Sequence, residues 1–128
     1  MFISLQTSHS VDTIVERMQG AATEFGFSIL HHYDFFTILE GKGFPIDRKV
    51  FVFEICKAAM SSKILTHFPL FSVMMPCRIA VYEEHGTTHI ATMDMHEMLE
   101  LLHENEQLQE EANALFDQIL NMMSSLCE

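Results

Sequence analysis

Apolar residues recur along the chain in two rhythms, and the switches between them predict the order of elements. Phe2 to Gln6 alternates apolar and polar residues, the period of a short strand. Ser10 then stands as a helix N-cap with Asp12 in the first turn. Val11, Ile14, Val15, Met18, Ala22 and Phe25 follow at helical spacing, so this helix buries one stripe. Gly26 occupies the place of a left-handed C-cap. Phe27 to Tyr33 reads as a second strand. Phe35, Phe36, Ile38 and Leu39 suggest a short helix, ended by Gly41, Gly43 and Pro45. Lys49 to Ile55 is a nearly all-apolar strand with the character of a central one.

Lys57 to Leu65 is rich in helix formers, with Ala58, Met60 and Ile64 as its apolar positions, and Pro69 closes the region. Met74 to Glu84 is a further strand. Gly86 marks a turn, and Thr88 to Met93 returns as the other arm of a hairpin. Asp94 is expected to cap a helix running to about His103, and Asn105 to cap a longer one from Glu106 to Leu126. The stripe of the last helix is Leu108, Ala112, Leu115, Ile119, Met122 and Leu126. Phe116, Leu120 and Met123 widen it, and a partner subunit or a well-buried terminal helix would account for the extra width. The expected fold is α+β: a mixed or antiparallel sheet of about five strands with helices packed on one face. The sheet's other face, with Phe35, Phe36, Phe68 and Phe71 in or beside loops, must meet something. A homodimer is the commonest way to cover such surface.

Composition narrows the setting. The length, 128 residues, is that of a single domain, residues 1–128, able to fold without disulfide or metal. A formal net charge of −11 repels phosphate backbones, so no nucleic acid and no anionic membrane surface is expected as a partner. No apolar run approaches the ~18 residues of a membrane span. The first residues lack the charge and apolar stretch of a signal peptide, and Cys56, Cys77 and Cys127 are odd in number and far apart. A reducing, cytoplasmic location is the expectation.

Met74-Met75-Pro76-Cys77-Arg78-Ile79-Ala80-Val81-Tyr82-Glu83 resembles the Leu/Met-Pro-Cys-x-Ile/Val-x-Val-Tyr strand of the domain of unknown function 302 family. Phe53-Glu54-Ile55-Cys56 resembles that family's strand leading into a helix, and the helix from Val11 with Gly26-Phe27 its opening helix and turn. The resemblance covers a core of residues 3–103 and leaves residues 104–128 as a C-terminal helical extension. Lys57-Ala58 and Asp94-Met95 depart from the Asn-Pro and Asp-Pro pairs common in the family. The resemblance implies a small α+β domain, seen as a dimer, with no established activity.

Candidate chemistry is sparse. Cys77, after Pro76 at a strand start, is a candidate thiol site, although Arg78 beside it points to the opposite face. Cys56 at a strand-to-helix junction could meet Cys77 if their strands are neighbours, as a redox pair or half a metal site. No Cys-x-x-Cys spacing supports that, and each cysteine alone reads first as an ordinary small apolar side chain. Cys127 lies at the chain end.

His96, Glu100 and His103 recur at i, i+4 and i+7, a spacing able to grip a divalent metal, on a helix face opposite Met98, Leu99, Leu101 and Leu102. That face is the solvated one. His31 and His32 are sequential in a strand and project oppositely. Ten methionines and eleven phenylalanines suggest either a soft core or the wall of an apolar pocket. Met18, Met60, Met74, Met75, Met93 and Met98 are its candidates, and a haem there would take His31, His32 or His67 as axial ligand. No phosphate loop, nucleophile elbow or zinc-protease motif occurs.

The reading favoured is a non-enzymatic homodimer binding a small apolar or redox-active ligand between sheet and helices or at the dimer seam. The alternatives are thiol-based redox or sulfur handling by Cys77, and an interaction module docking through its C-terminal helices.

Overall fold

The computed structural model describes residues 1–128. Its elements are β1 (Phe2–Thr7), α1 (Val11–Glu24), β2 (Ser28–Asp34), α2 (Phe35–Gly41), β3 (Val50–Cys56), α3 (Ala58–His67), β4 (Cys77–Glu84), β5 (Thr87–Met93), α4 (His96–Leu99) and α5 (Glu106–Leu126). The sheet order is β1-β5-β4-β3-β2, and every neighbouring pair is antiparallel. The expected α+β architecture is present, with β3 and β4 inside the sheet. Because β1 and β2 are opposite edges, α1 carries the chain across one whole face.

Local chemistry sets the ends of α1. The Ser10 side chain accepts a hydrogen bond from the Thr13 N–H at 3.1 Å. At the other end Gly26 takes φ +79°, a left-handed conformation that side-chain-bearing residues avoid, and the Phe27 N–H bonds back to the Ala22 carbonyl at 2.8 Å. The β4–β5 hairpin turns on His85 and Gly86, at φ 55° and 74°, the conformations a two-residue type I′ loop demands.

Strand alternation divides the sheet. Phe53, Ile55, Ile79, Val81 and Ile90 are buried on the face covered by α1 and α5. From those helices Ile14, Met18, Phe116, Ile119, Met122 and Met123 complete the core. Phe116 and Met123 are therefore consumed by the chain's own interior, which accounts for the extra width of the last helix's stripe without a partner. Phe71 is also fully buried, held by the 3₁₀ turn Pro69–Val73.

Two expected elements differ. The strand expected from Met74 begins at Cys77, because Met74, Met75 and Pro76 form the approach turn, with a cis Met75–Pro76 peptide. The helix expected from Asp94 to His103 is a single α turn followed by a 3₁₀ turn, Glu100–Leu102. Leu99 and Leu102 are both buried, and the three-residue 3₁₀ turn stacks positions three apart on one side.

Phe116→Ala is expected to lower the unfolding free energy by roughly 3–5 kcal/mol, whereas Leu101→Ala, at an exposed position, should stay within about 0.5 kcal/mol. Urea denaturation measures both.

Candidate functional site

The face of the sheet away from α1 and α5 carries no helix across its centre. In-register pairing aligns Ser4, Ala91, Ala80 and Val52 from β1, β5, β4 and β3 into one row of small side chains. Gln6, His89 and Tyr82 form the next row, with the His89 and Tyr82 rings stacked at 5.1 Å. On the other side stand Phe2 and Met93, which pair, and Arg78 paired with Glu54. A low row between taller ones is a groove. Val73, Met74, Pro76, Met95 and Met98, from the segments flanking β4 and β5, wall one end of it, and its volume is about 780 Å³.

The groove's charged feature is Arg78. Its guanidinium lies 3.1 Å from the Glu54 carboxylate, which is 12% exposed and also accepts from the Tyr33 hydroxyl at 3.3 Å. The carboxylate is thus satisfied from two sides. Arg78, 56% exposed, retains N–H donors facing the groove side of the sheet.

A second, far smaller cavity of about 50 Å³ lies on the helix side at the same end of the sheet. Cys56 and Cys77 both line it. Their strands are neighbours, with Ile55 opposite Cys77, so the anticipated approach of the two cysteines is present. The Cys56 Sγ is 3.1 Å from the Ser61 hydroxyl oxygen. Cys77, Met74, Pro76 and Met95 line both cavities. Burial first, then the neighbouring Cys56, pushes the Cys77 thiol up from its ordinary 9.0 to about 11, with Arg78 opposing weakly. Its thiol is consequently protonated at neutral pH, the reverse of an activated nucleophile.

The histidine candidates lie elsewhere. His31 and His32 are exposed on edge strand β2, where a register shift after Ile29 leaves their ring centroids 6.2 Å apart. His67 is exposed at the end of α3. None of the three lines either cavity. His96, Glu100 and His103 share no helix face, because α4 ends at Leu99. The His96 Nδ1 is 2.7 Å from Asp94, its Nε2 is 3.5 Å from Asp117, and the His103 ring bonds the Glu100 backbone carbonyl at 3.1 Å. The His96 backbone N–H, more than its ring, holds the Asp94 carboxyl below the usual range. No group of three His, Cys, Asp or Glu side chains is arranged to hold a metal ion. His96, Glu100 and His103 are therefore not gathered into the three-ligand group expected from their spacing.

The groove floor had no motif to announce it. Its signal was the placement of Ser4, Ala80 and Ala91 at alternate strand positions, legible only once the strand order is known.

The family model for Domain of unknown function DUF302 matches residues 3–126, a span that includes α5. A crystal structure of an uncharacterized conserved protein DUF302 from Bacillus stearothermophilus is similar at TM-score 0.85 and 20% identity, covering 99% of this chain and 98% of that one. No curated protein matches the sequence. The structural likeness, at that identity, speaks to the fold.

A raised thiol pKa means the unfolded chain ionises first as pH rises. The Cys77 contribution to stability is present below about pH 9 and is lost progressively toward pH 11. Denaturation midpoints should fall over that window, and Cys77→Ser should flatten the fall. With a disulfide reagent at neutral pH, Cys77 should react more slowly in the folded protein than in denaturant.

Proposed function

The chain belongs to the DUF302 family, and on that premise we propose that it is a non-enzymatic homodimeric binding protein that holds a small apolar ligand in the groove on the open face of its sheet. The observation that carries this reading is the groove itself. Its volume of about 780 Å³ falls within the roughly 300–1,000 Å³ of small-molecule sites, and its lining is mostly apolar with a few polar groups. The cavity between sheet and helices, about 50 Å³, has no room for such a molecule. A ligand there would have to displace the core, at a cost of several kcal/mol.

Arg78 specifies the ligand further. A molecule with an apolar body and one acidic end would lie over Ala80 and Ala91 and present its anion to the spare guanidinium donors. The rim favours a second copy as neighbour. Phe2, Val73, Met93 and Met98 are 70%, 76%, 47% and 40% exposed around the opening, an apolar rim of the kind that marks an interface. Two-fold pairing would cover it and close the groove. The thiol reading is less well supported, because Cys77 is held protonated.

Anilinonaphthalene sulfonate, an apolar body with one acidic group, is the probe of choice. Fluorescence titration should show saturable binding, and Ala80→Phe, which fills the floor from the solvent side, should weaken it at least about tenfold without lowering the melting temperature. Unsaturable binding, or equal binding by Ala80→Phe, would refute the groove. Sedimentation equilibrium should give a dimer that Val73→Glu dissociates. A wild-type monomer at micromolar concentration would refute the homodimer.

A further inference from the structure

The chain contains 10 methionines and 3 cysteines. Six of these side chains, Cys56, Cys77, Met60, Met74, Met75 and Met95, line the single cavity of about 50 Å³ under the start of β4. They come from five separate places: the end of β3, α3, the turn before β4, the start of β4, and the segment after β5. Six sulfur donors, including both cysteines of adjacent strands, stand among the 18 residues around this void, and the others are mostly hydrocarbon side chains that offer no competing ligand.

Thiolate and thioether sulfurs select soft ions of the copper(I) type, while magnesium, calcium and manganese require oxygen. The cavity contributes no carboxylate and no imidazole, and its polar neighbours are Lys57 and Ser61. A few tens of Å³ exceeds what one atom needs and falls far below what an organic ligand needs. Cys77, Met74, Pro76 and Met95 also line the open groove, so the cavity lies directly beneath it. We infer that this sulfur-lined cavity is a binding site for one soft monovalent cation of the copper(I) class, held by Cys56 and Cys77 with the surrounding methionine thioethers.

Binding exchanges protons for metal. Each cysteine that coordinates gives its S–H proton to solvent and forms one sulfur–metal bond, and the metal's oxidation state does not change. Because each ligating thiol must lose its proton, affinity rises as pH rises. The sulfur-lined cavity binds its ion whether or not the groove holds an organic ligand.

Silver(I), a redox-inert member of the class, tests it by anaerobic competition titration on the whole chain. One ion per chain is expected. Cys77→Ser and Cys56→Ser should each weaken binding more than about tenfold, the least that losing a direct ligand should cost. Met74→Leu and Met95→Leu, which preserve volume and so the fold, should weaken it measurably, and Cys127→Ser should leave it unchanged. Failure to bind silver at one equivalent would overturn the site. So would undiminished binding by the Cys56→Ser/Cys77→Ser double variant, or loss of binding in Cys127→Ser. If a cysteine variant does not fold, the methionine variants decide: full affinity in both overturns the site.

Discussion

Everything distinctive about this molecule depends on a five-stranded antiparallel sheet whose centre is covered by helices on one face only. With a side-chain period of two, a strand must commit each residue to one side, and in-register neighbours must agree. On the covered side Ile55, Ile79, Val81 and Ile90 meet α1 and α5, and their burial fixes the register of β3, β4 and β5. Once that register is set, the opposite side is no longer free. Ser4, Ala91, Ala80 and Val52 must line up, and the low row they make between Tyr82–His89 and Phe2–Met93 is a consequence of core packing. A one-residue slip would bury Arg78 and Tyr82 and expose the isoleucines, a cost far beyond the stability of a domain this size.

The same geometry explains why two unlike cavities meet at one residue. β4 starts at Cys77, whose partner Ile55 faces the helices, so the thiol belongs to the helix side. The turn before it, Met74 to Pro76, wraps the sheet's end and contributes to both sides. The apolar groove and the sulfur-lined void are therefore separated by a single short segment. Arg78, one position further, faces the groove and engages Glu54 there. The two sites differ in the chemistry they offer: broad apolar contact with one cation on the open face, concentrated sulfur beneath it.

Much of the fold was legible in the sequence because local chemistry and tertiary demand agree. The Ser10 and Asn105 caps, Gly26 and the stripe of α5 each mean in the structure what they suggest in the chain. The site was less legible, for physical reasons. The spacing of His96, Glu100 and His103 has meaning only on a continuous α-helix, and the burial of Leu99 and Leu102 favours a 3₁₀ turn instead. Cys56 and Cys77 are 21 positions apart by their residue numbers, and their proximity follows from the β3–β4 pairing, which periodicity cannot supply. Small residues such as Ala80 and Ala91 carry no signal until strand order shows that they are neighbours. The methionines were noticeable by number, but those that share a cavity were identifiable only in three dimensions.

The open-face groove is tested most directly by a map of methyl chemical-shift changes by NMR as anilinonaphthalene sulfonate is added. The largest changes are expected at Ala80, Ala91, Val52, Met93 and Met98, on the open face, with Ile14, Val81 and Ile119 in the core barely moving. Changes concentrated on the core methyls, or spread without a centre over the surface, would contradict a groove built by the sheet's uncovered side.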